Sequence, residues 1–115
     1  MHREPVIVLE VAILEVRAGE SDAFEASFRE AQQYIAASPG YQKHELRRCL
    51  EAGDRHLLLV WWDDLESHTE GFRGSEAYQH WRALLHHYYD PFPTVEHYEV
   101  VEGATGPAGP GKERS

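Results

Sequence analysis

Val6–Val16 reads VIVLEVAILEV, and its reading decides the fold. The stretch is dense in Val, Ile and Leu and holds no turn residue. It is too apolar for a strand with one wet face, so it reads as a strand buried on both faces. His56–Trp62 (HLLLVWW) has the same character. Tyr41–Leu50 (YQKHELRRCL) and Thr94–Val101 (TVEHYEVV) read as strands of mixed, more polar composition. Between the first two strands, Phe24, Phe28, Ala31 and Ile35 recur at helical spacing, with Glu25, Arg29, Glu30 and Gln33 on the other face. That pattern predicts an amphipathic helix of about four turns, with Ser21 as its N-cap and Ser38-Pro39-Gly40 ending it. Glu51–Asp54 is a hairpin-type connection. Asp63 or Asp64 can open a second helical region that breaks near Gly71–Gly74. Ser75 recaps a helix whose face holds Tyr78, Trp81 and Leu85, and Asp90-Pro91-Phe92-Pro93 stops it.

The order is β-α-β-β-α-β, an α+β, ferredoxin-like arrangement with a four-stranded antiparallel sheet. The right-handed crossover rule puts strands one and three at the centre and strands two and four at the edges. Hydrophobicity says the same independently, because strands one and three are the apolar pair. Two helices cover only one face of such a sheet. The uncovered face has to bury itself elsewhere, and a second copy of the chain predicts a homodimer packed sheet to sheet. The ligand space then lies between each sheet and its own helices.

Composition narrows the partners. The 115 residues suit one domain over 1–102, with a Gly/Pro-rich, disordered tail over 103–115. A net charge of −9 disfavours a phosphate backbone, so no nucleic-acid partner is expected. No apolar run reaches the ~18 residues of a membrane span, and the N-terminus lacks a signal-peptide pattern, so the expected compartment is the cytoplasm. A single cysteine, Cys49, forms no internal disulfide or thiolate cluster. No Gly-rich phosphate loop follows a strand, so neither a dinucleotide nor a flavin is expected.

All three tryptophans, four of six tyrosines and five of eight histidines lie between Trp61 and Tyr98. The histidines do not read as a metal site. His80 and His87 are seven apart, and His86 and His87 point about 100° apart on a helix, whereas zinc helices use i,i+3 or i,i+4 pairs. They equally suit a surface or the C-terminal end of a helix. No metal is expected. What remains is Trp62, His68, Phe72, Arg73, Tyr78 and Trp81, with His97 and Tyr98 sent to opposite faces of the last strand. If these converge, they form an apolar slot with polar tips for a flat, partly oxygenated small aromatic molecule. A histidine beside it could take a phenolic proton. The same rings at helical spacing also suit a packed core.

The strand ending VWWDD (Val60–Asp64), followed by LESHTEGFRGSEAYQHW (Leu65–Trp81), resembles the antibiotic biosynthesis monooxygenase (ABM) domain family. The resemblance runs from Pro5 to about Glu102. It implies a dimeric α+β barrel and cofactor-independent monooxygenation of a quinol-like or polyketide-like aromatic, without flavin, haem or metal. In that chemistry the deprotonated substrate itself reduces dioxygen. On this reading His68 is the base, Tyr78 and Arg73 orient the substrate or stabilise an enolate or phenolate, and Trp62, Phe72, Trp81 and His97 bind it. Haem-degrading members use an asparagine, a tryptophan and a histidine. This chain has no asparagine, and counting from Ser75 the other two positions fall on Phe72 and Arg82. Haem degradation is therefore disfavoured. Two further readings share the fold: a non-enzymatic ligand-binding or stress-related dimer, and an isomerase or cyclase using the same pocket.

Overall fold

The computed structural model describes residues 7–106. The expected tail lies outside the described residues from position 107 on, as does Val6 at the start of the expected first strand. The strands are β1 (Val8–Glu15), β2 (Tyr41–Arg48), β3 (Arg55–Trp62) and β4 (Val95–Tyr98). The α-helices are α1 (Ser21–Ala36) and α2 (Glu76–Leu85), preceded by a π-helical turn at Ser67–Phe72. The sheet is antiparallel in the order β2-β3-β1-β4, so the apolar strands are central and the polar ones lie at the edges. No described helix is long and apolar enough to cross a membrane.

Strand alternation divides β1 into two faces. Ala12, Leu14 and the adjoining Val16 point under the helices and are buried with Leu58, Val60 and Trp62 of β3. Phe24, Phe28, Ala31 and Ile35 of α1 and Trp81 and Leu85 of α2 close this core from above. Phe28 meets Trp81 edge to face at 5.6 Å, which locks the two helices together. The odd-numbered residues of β1 and β3 turn the other way. Ile13, opposite Leu57, remains 51% exposed, and Leu9, Val11, Leu59 and Trp61 are only partly covered. This is the apolar face that no helix among the described residues reaches.

A polar cluster is built in where α1 meets the ends of β2 and β3. Glu25 of α1 accepts both Arg48 hydrogen bonds (2.6 and 2.8 Å) and lies 2.8 Å from Nε2 of the fully buried His56. The Arg48 guanidinium, followed by His56, holds the Glu25 carboxyl down at about 2 despite its burial. The cluster pins α1 to the ends of β2 and β3.

Two helix starts contrast. Ser75 caps α2 as expected, its Oγ accepting from the Tyr78 amide at 3.2 Å. Ser21 does not cap α1. Its hydroxyl instead donates to Asp54 Oδ1 at 2.6 Å, and the cap position is Glu20 without a side-chain bond. The chain enters α1 against the β2–β3 hairpin, and a charge-assisted bond to Asp54 outcompetes the backbone amides. Asp64 begins the π-turn by accepting from both the amide and the hydroxyl of Ser67 at 2.8 Å.

Gly40 positions that turn. Its φ is +86°, and a Cβ there would stand 2.6 Å from the Ser67 Cβ and closer still to its hydroxyl. Only glycine satisfies both the left-handed backbone and the close approach. Gly40→Ala is expected to destabilise the fold by about 2 kcal/mol or more, because the clash adds to the backbone strain. Urea unfolding checks this, and an unchanged midpoint would show that the turn is not held by that contact.

Candidate active site

Glu10 occupies the helix-facing register of β1, two residues before Ala12. It is therefore folded under the π-turn and is 5% exposed. Trp62, which ends β3, donates its indole N–H to Glu10 Oε1 at 3.0 Å. His68, carried by the π-turn and 3% exposed, lies over the Trp62 ring at 5.3 Å and 20°. Its Nε2 is 3.4 Å from Glu10 Oε1, and its Nδ1 is 2.8 Å from Nε2 of His97. His97 is the cross-strand partner of Glu10 on edge strand β4 and is half-buried. A line of polar groups thus runs from the Trp62 indole through Glu10 and His68 to His97 at the sheet edge.

Burial sets the protonation of this line. It pushes the Glu10 carboxyl up to about 7, with the Trp62 hydrogen bond and then the Arg73 charge opposing. Burial, then Arg73 and His97, pushes His68 down to about 3. Burial first and Arg73 second lower His97 as well. Near neutrality the imidazole is uncharged while the carboxyl is divided between acid and carboxylate, so the two do not form an ion pair. Arg73 acts on all three groups from the exposed end of the turn.

Glu10 and His68 border a cavity between sheet and helices. Phe72, Tyr78, Trp81 and Tyr89 supply its aromatic sides, and Arg73, His86, Phe92 and Pro93 lie on the same lining. The cavity volume is about 60 Å³, room for a few waters. It is narrower than the 300–1,000 Å³ typical of ligand pockets. Of the seven residues singled out from the sequence, His68, Phe72, Arg73, Tyr78 and Trp81 line this one space. Trp62 lies beneath His68 as a floor, and His97 stands behind His68 on the sheet side. Tyr98 points to the opposite face, half-exposed, as alternation requires.

Sequence reasoning missed Glu10, His86 and Tyr89. Glu10 had a usable signal: it is a carboxylate in phase with Ala12, Leu14 and Val16, the inward set of an apolar strand. His86, expected at a surface or helix end, does end α2 but is half-buried against Tyr78, Tyr89 and Phe92. Burial, followed by Arg82 and Arg73, lowers its pKa to about 4. Tyr89 is drawn in because it bridges to Val16 at the end of β1. Among the described residues no group of three or more His, Cys, Asp or Glu is arranged to hold a metal ion. The arrangement offers an aromatic-lined slot, a carboxylic acid poised near neutrality, a neutral imidazole and a cation at one side.

Comparison with known proteins gives a consistent picture. A family model described as antibiotic biosynthesis monooxygenase matches residues 7–84. The uncharacterized protein YczJ of Bacillus subtilis (strain 168) is 50% identical over 95 residues, spanning 83% of this chain and all of that one. A crystal structure from Bordetella bronchiseptica, of a candidate antibiotic biosynthesis monooxygenase, is 30% identical with a TM-score of 0.80, covering 84% of this chain and 98% of that one. SnoaB of Streptomyces nogalater, a cofactor-independent oxygenase, shares the fold at 20% identity with a TM-score of 0.69, covering 90% and 99%.

The raised Glu10 pKa has a stability consequence. Below about 4.5 the carboxyl is protonated in both folded and unfolded chains and costs nothing extra. Between about 4.5 and 7 the unfolded chain ionises while the folded one does not, so stability falls as pH rises. The loss amounts to about 3 kcal/mol above pH 7. Glu10→Gln, neutral at every pH, is expected to match the parent near pH 4 and to exceed it by up to about 3 kcal/mol at pH 8. Urea unfolding at the two pH values tests this, and a gap independent of pH would contradict it.

Proposed function

The chain belongs to the antibiotic biosynthesis monooxygenase family, and from that premise we propose that it is a cofactor-independent monooxygenase acting on a small hydrophobic aromatic of quinol or polyketide type. The observation that carries the reading is the Glu10–His68 pair opening onto an aromatic slot. Oxygenation without a cofactor needs a substrate that can be made anionic and a site dry enough to protect the carbanion or phenolate. A buried acid–base pair supplies the first requirement and the ring-lined cavity the second. SnoaB, described as a cofactor-independent oxygenase, has this fold and lends the proposal support by analogy.

In this proposal His68 and Glu10 do the acid–base work. Tyr78 and Arg73 face the developing oxyanion, as hydrogen-bond donor and as charge. Phe72 and Trp81 flank the ring, with Trp62 beneath and His97 behind. For an anthrone-type methylene, the substrate carbon loses two hydrogens, one oxygen atom of O2 becomes the new carbonyl, and the other leaves as water. The 60 Å³ now present is too small for such a molecule. Binding must therefore displace side chains, and the lining residue Phe92, between two prolines, is 63% exposed.

The uncovered sheet face leads to a second part of the proposal, a homodimer in which two copies pack through Leu9, Val11, Ile13, Leu57, Leu59 and Trp61. A contiguous apolar face on a chain of 13.2 kDa is otherwise left in water.

Two measurements test these readings. Oxygen uptake with a panel of quinols and anthrones, without added cofactor, is expected to exceed the uncatalysed rate and to fall at least tenfold in Trp81→Ala. A flat trace across the panel would favour the binding-protein or isomerase readings instead. In sedimentation, the parent chain is expected to run at twice its mass at micromolar concentration, and Val11→Glu combined with Leu59→Glu to run as a monomer. A monomeric parent would overturn the dimer.

A further inference from the structure

We propose that Glu10, not His68, takes the substrate's proton, and that the His68–His97 pair connects this buried carboxyl to solvent. The inference deepens the monooxygenase reading and rests on it for the identity of the substrate.

The geometry separates the two candidates. Both ring nitrogens of His68 are already committed, Nε2 toward Glu10 at 3.4 Å and Nδ1 to His97 at 2.8 Å. Glu10 is committed through one oxygen only. Oε1 accepts from the Trp62 indole and faces His68, while Oε2 has no partner among the described residues. Among those residues His56 Nδ1 is the one fully enclosed side-chain polar atom without a partner. Oε2 therefore keeps contact with open space, and Glu10 borders the cavity. A substrate hydroxyl or activated methylene in the slot would meet that oxygen.

The chemistry balances as a simple transfer. The substrate O–H or C–H bond breaks, its electron pair stays on the substrate, and its proton bonds to Oε2. The carboxylate becomes a carboxylic acid, and the substrate anion remains beside Arg73 and the Tyr78 hydroxyl. The charge is conserved within the pocket. A carboxyl that titrates near neutrality is a strong enough base to act and a weak enough one to be regenerated.

A buried carboxyl must also shed its resting proton before a substrate arrives. The polar line provides the route. Glu10 gives a proton to His68 Nε2, His68 gives its Nδ1 proton to His97 Nε2, and His97 passes its own Nδ1 proton to water at the sheet edge. The first step needs the 3.4 Å contact to shorten by a few tenths of an ångström. The polar and titratable groups around Glu10 and its cavity are Trp62 of β3, His68 and Arg73 of the π-turn region, His97 of β4, Tyr78 of α2, and His86 and Tyr89 beyond it; of these, the Trp62 hydrogen bond and the Arg73 charge oppose the effect of burial on the carboxyl. Burial raises Tyr89, with Tyr78 and Glu10 adding to it, so it stays neutral throughout.

Ligand-free protein labelled with ¹³C in glutamate carboxyls and ¹⁵N in histidine rings decides the acid–base part by NMR. One carboxyl is expected to titrate with a midpoint near 7, to vanish in Glu10→Gln, and to move the His68 and His97 ring signals with it. Carboxyls that all titrate in the ordinary range, or histidines indifferent to Glu10→Gln, would overturn the proposal. In oxygen uptake, kcat is expected to rise through a limb near pH 7 in the parent chain. Glu10→Gln should lower kcat by about 10²-fold or more with KM little changed, and Glu10→Asp should recover part of the loss. His97→Phe is expected to keep KM and distort the limb. Parent turnover with an equally active Glu10→Gln sinks the Glu10 assignment and leaves the monooxygenase reading standing. No turnover by the parent sinks the monooxygenase reading, while the NMR titration still decides whether Glu10 is the pocket's proton acceptor.

Discussion

The strict two-residue alternation of β1 is the constraint on which the other features rest. Because successive side chains point to opposite faces, one apolar strand serves two environments at once. Its even-numbered residues, Ala12 and Leu14, meet the helices and make the core. Its odd-numbered residues, with Ile13 half-exposed, make a second apolar face that no helix among the described residues covers. The same alternation carries Glu10 inward. A slip of one residue would exchange the faces, expose the core set and put the carboxylate in water.

Placing a carboxylate among core residues costs stability. The penalty near pH 8 is about 3 kcal/mol, a sizeable part of the 5–15 kcal/mol that holds a domain together. The surrounding structure offsets it only in part, through the Trp62 indole and the distant Arg73 charge. A contrast within the same chain is instructive. Glu25 is also buried, but Arg48 grips it with two hydrogen bonds and His56 with a third, and its pKa goes down instead of up. Glu25 is a clamp between helix and sheet. Glu10 is left under-satisfied beside open space, as expected of a group kept for proton transfer.

The fold was largely legible in the sequence. Four strands, two helices, the edge and centre assignments, and the break between the π-turn and α2 all follow from composition and periodicity. Ser75 was readable as a cap because an extended Ser three residues before Tyr78 is a local motif. Ser21 was not, because its real partner, Asp54, is more than thirty residues away. The aromatic members of the site were also legible. Phe72, Tyr78 and Trp81 recur at helical spacing and converge on one cavity. Glu10 was hidden by its company, since a single acidic residue inside VIVLEVAILEV disappears into the strand signal. His86 was hidden by its neighbour His87, which shares its residue type but points to solvent.

Sequence alone determined the order of elements, the apolar centre of the sheet, the presence of an uncovered face and the family. Each of these depends on local patterns that repeat every two or 3.6 residues, and one strand or helix is enough to display them. Only tertiary structure decided what the site can do. Glu10, Trp62, His68 and His97 come from four separate segments, and no spacing in the chain records that they meet side by side. Their protonation is still less local. It follows from how much water the folded core removes from around each group, and that quantity exists only once sheet and helices have closed.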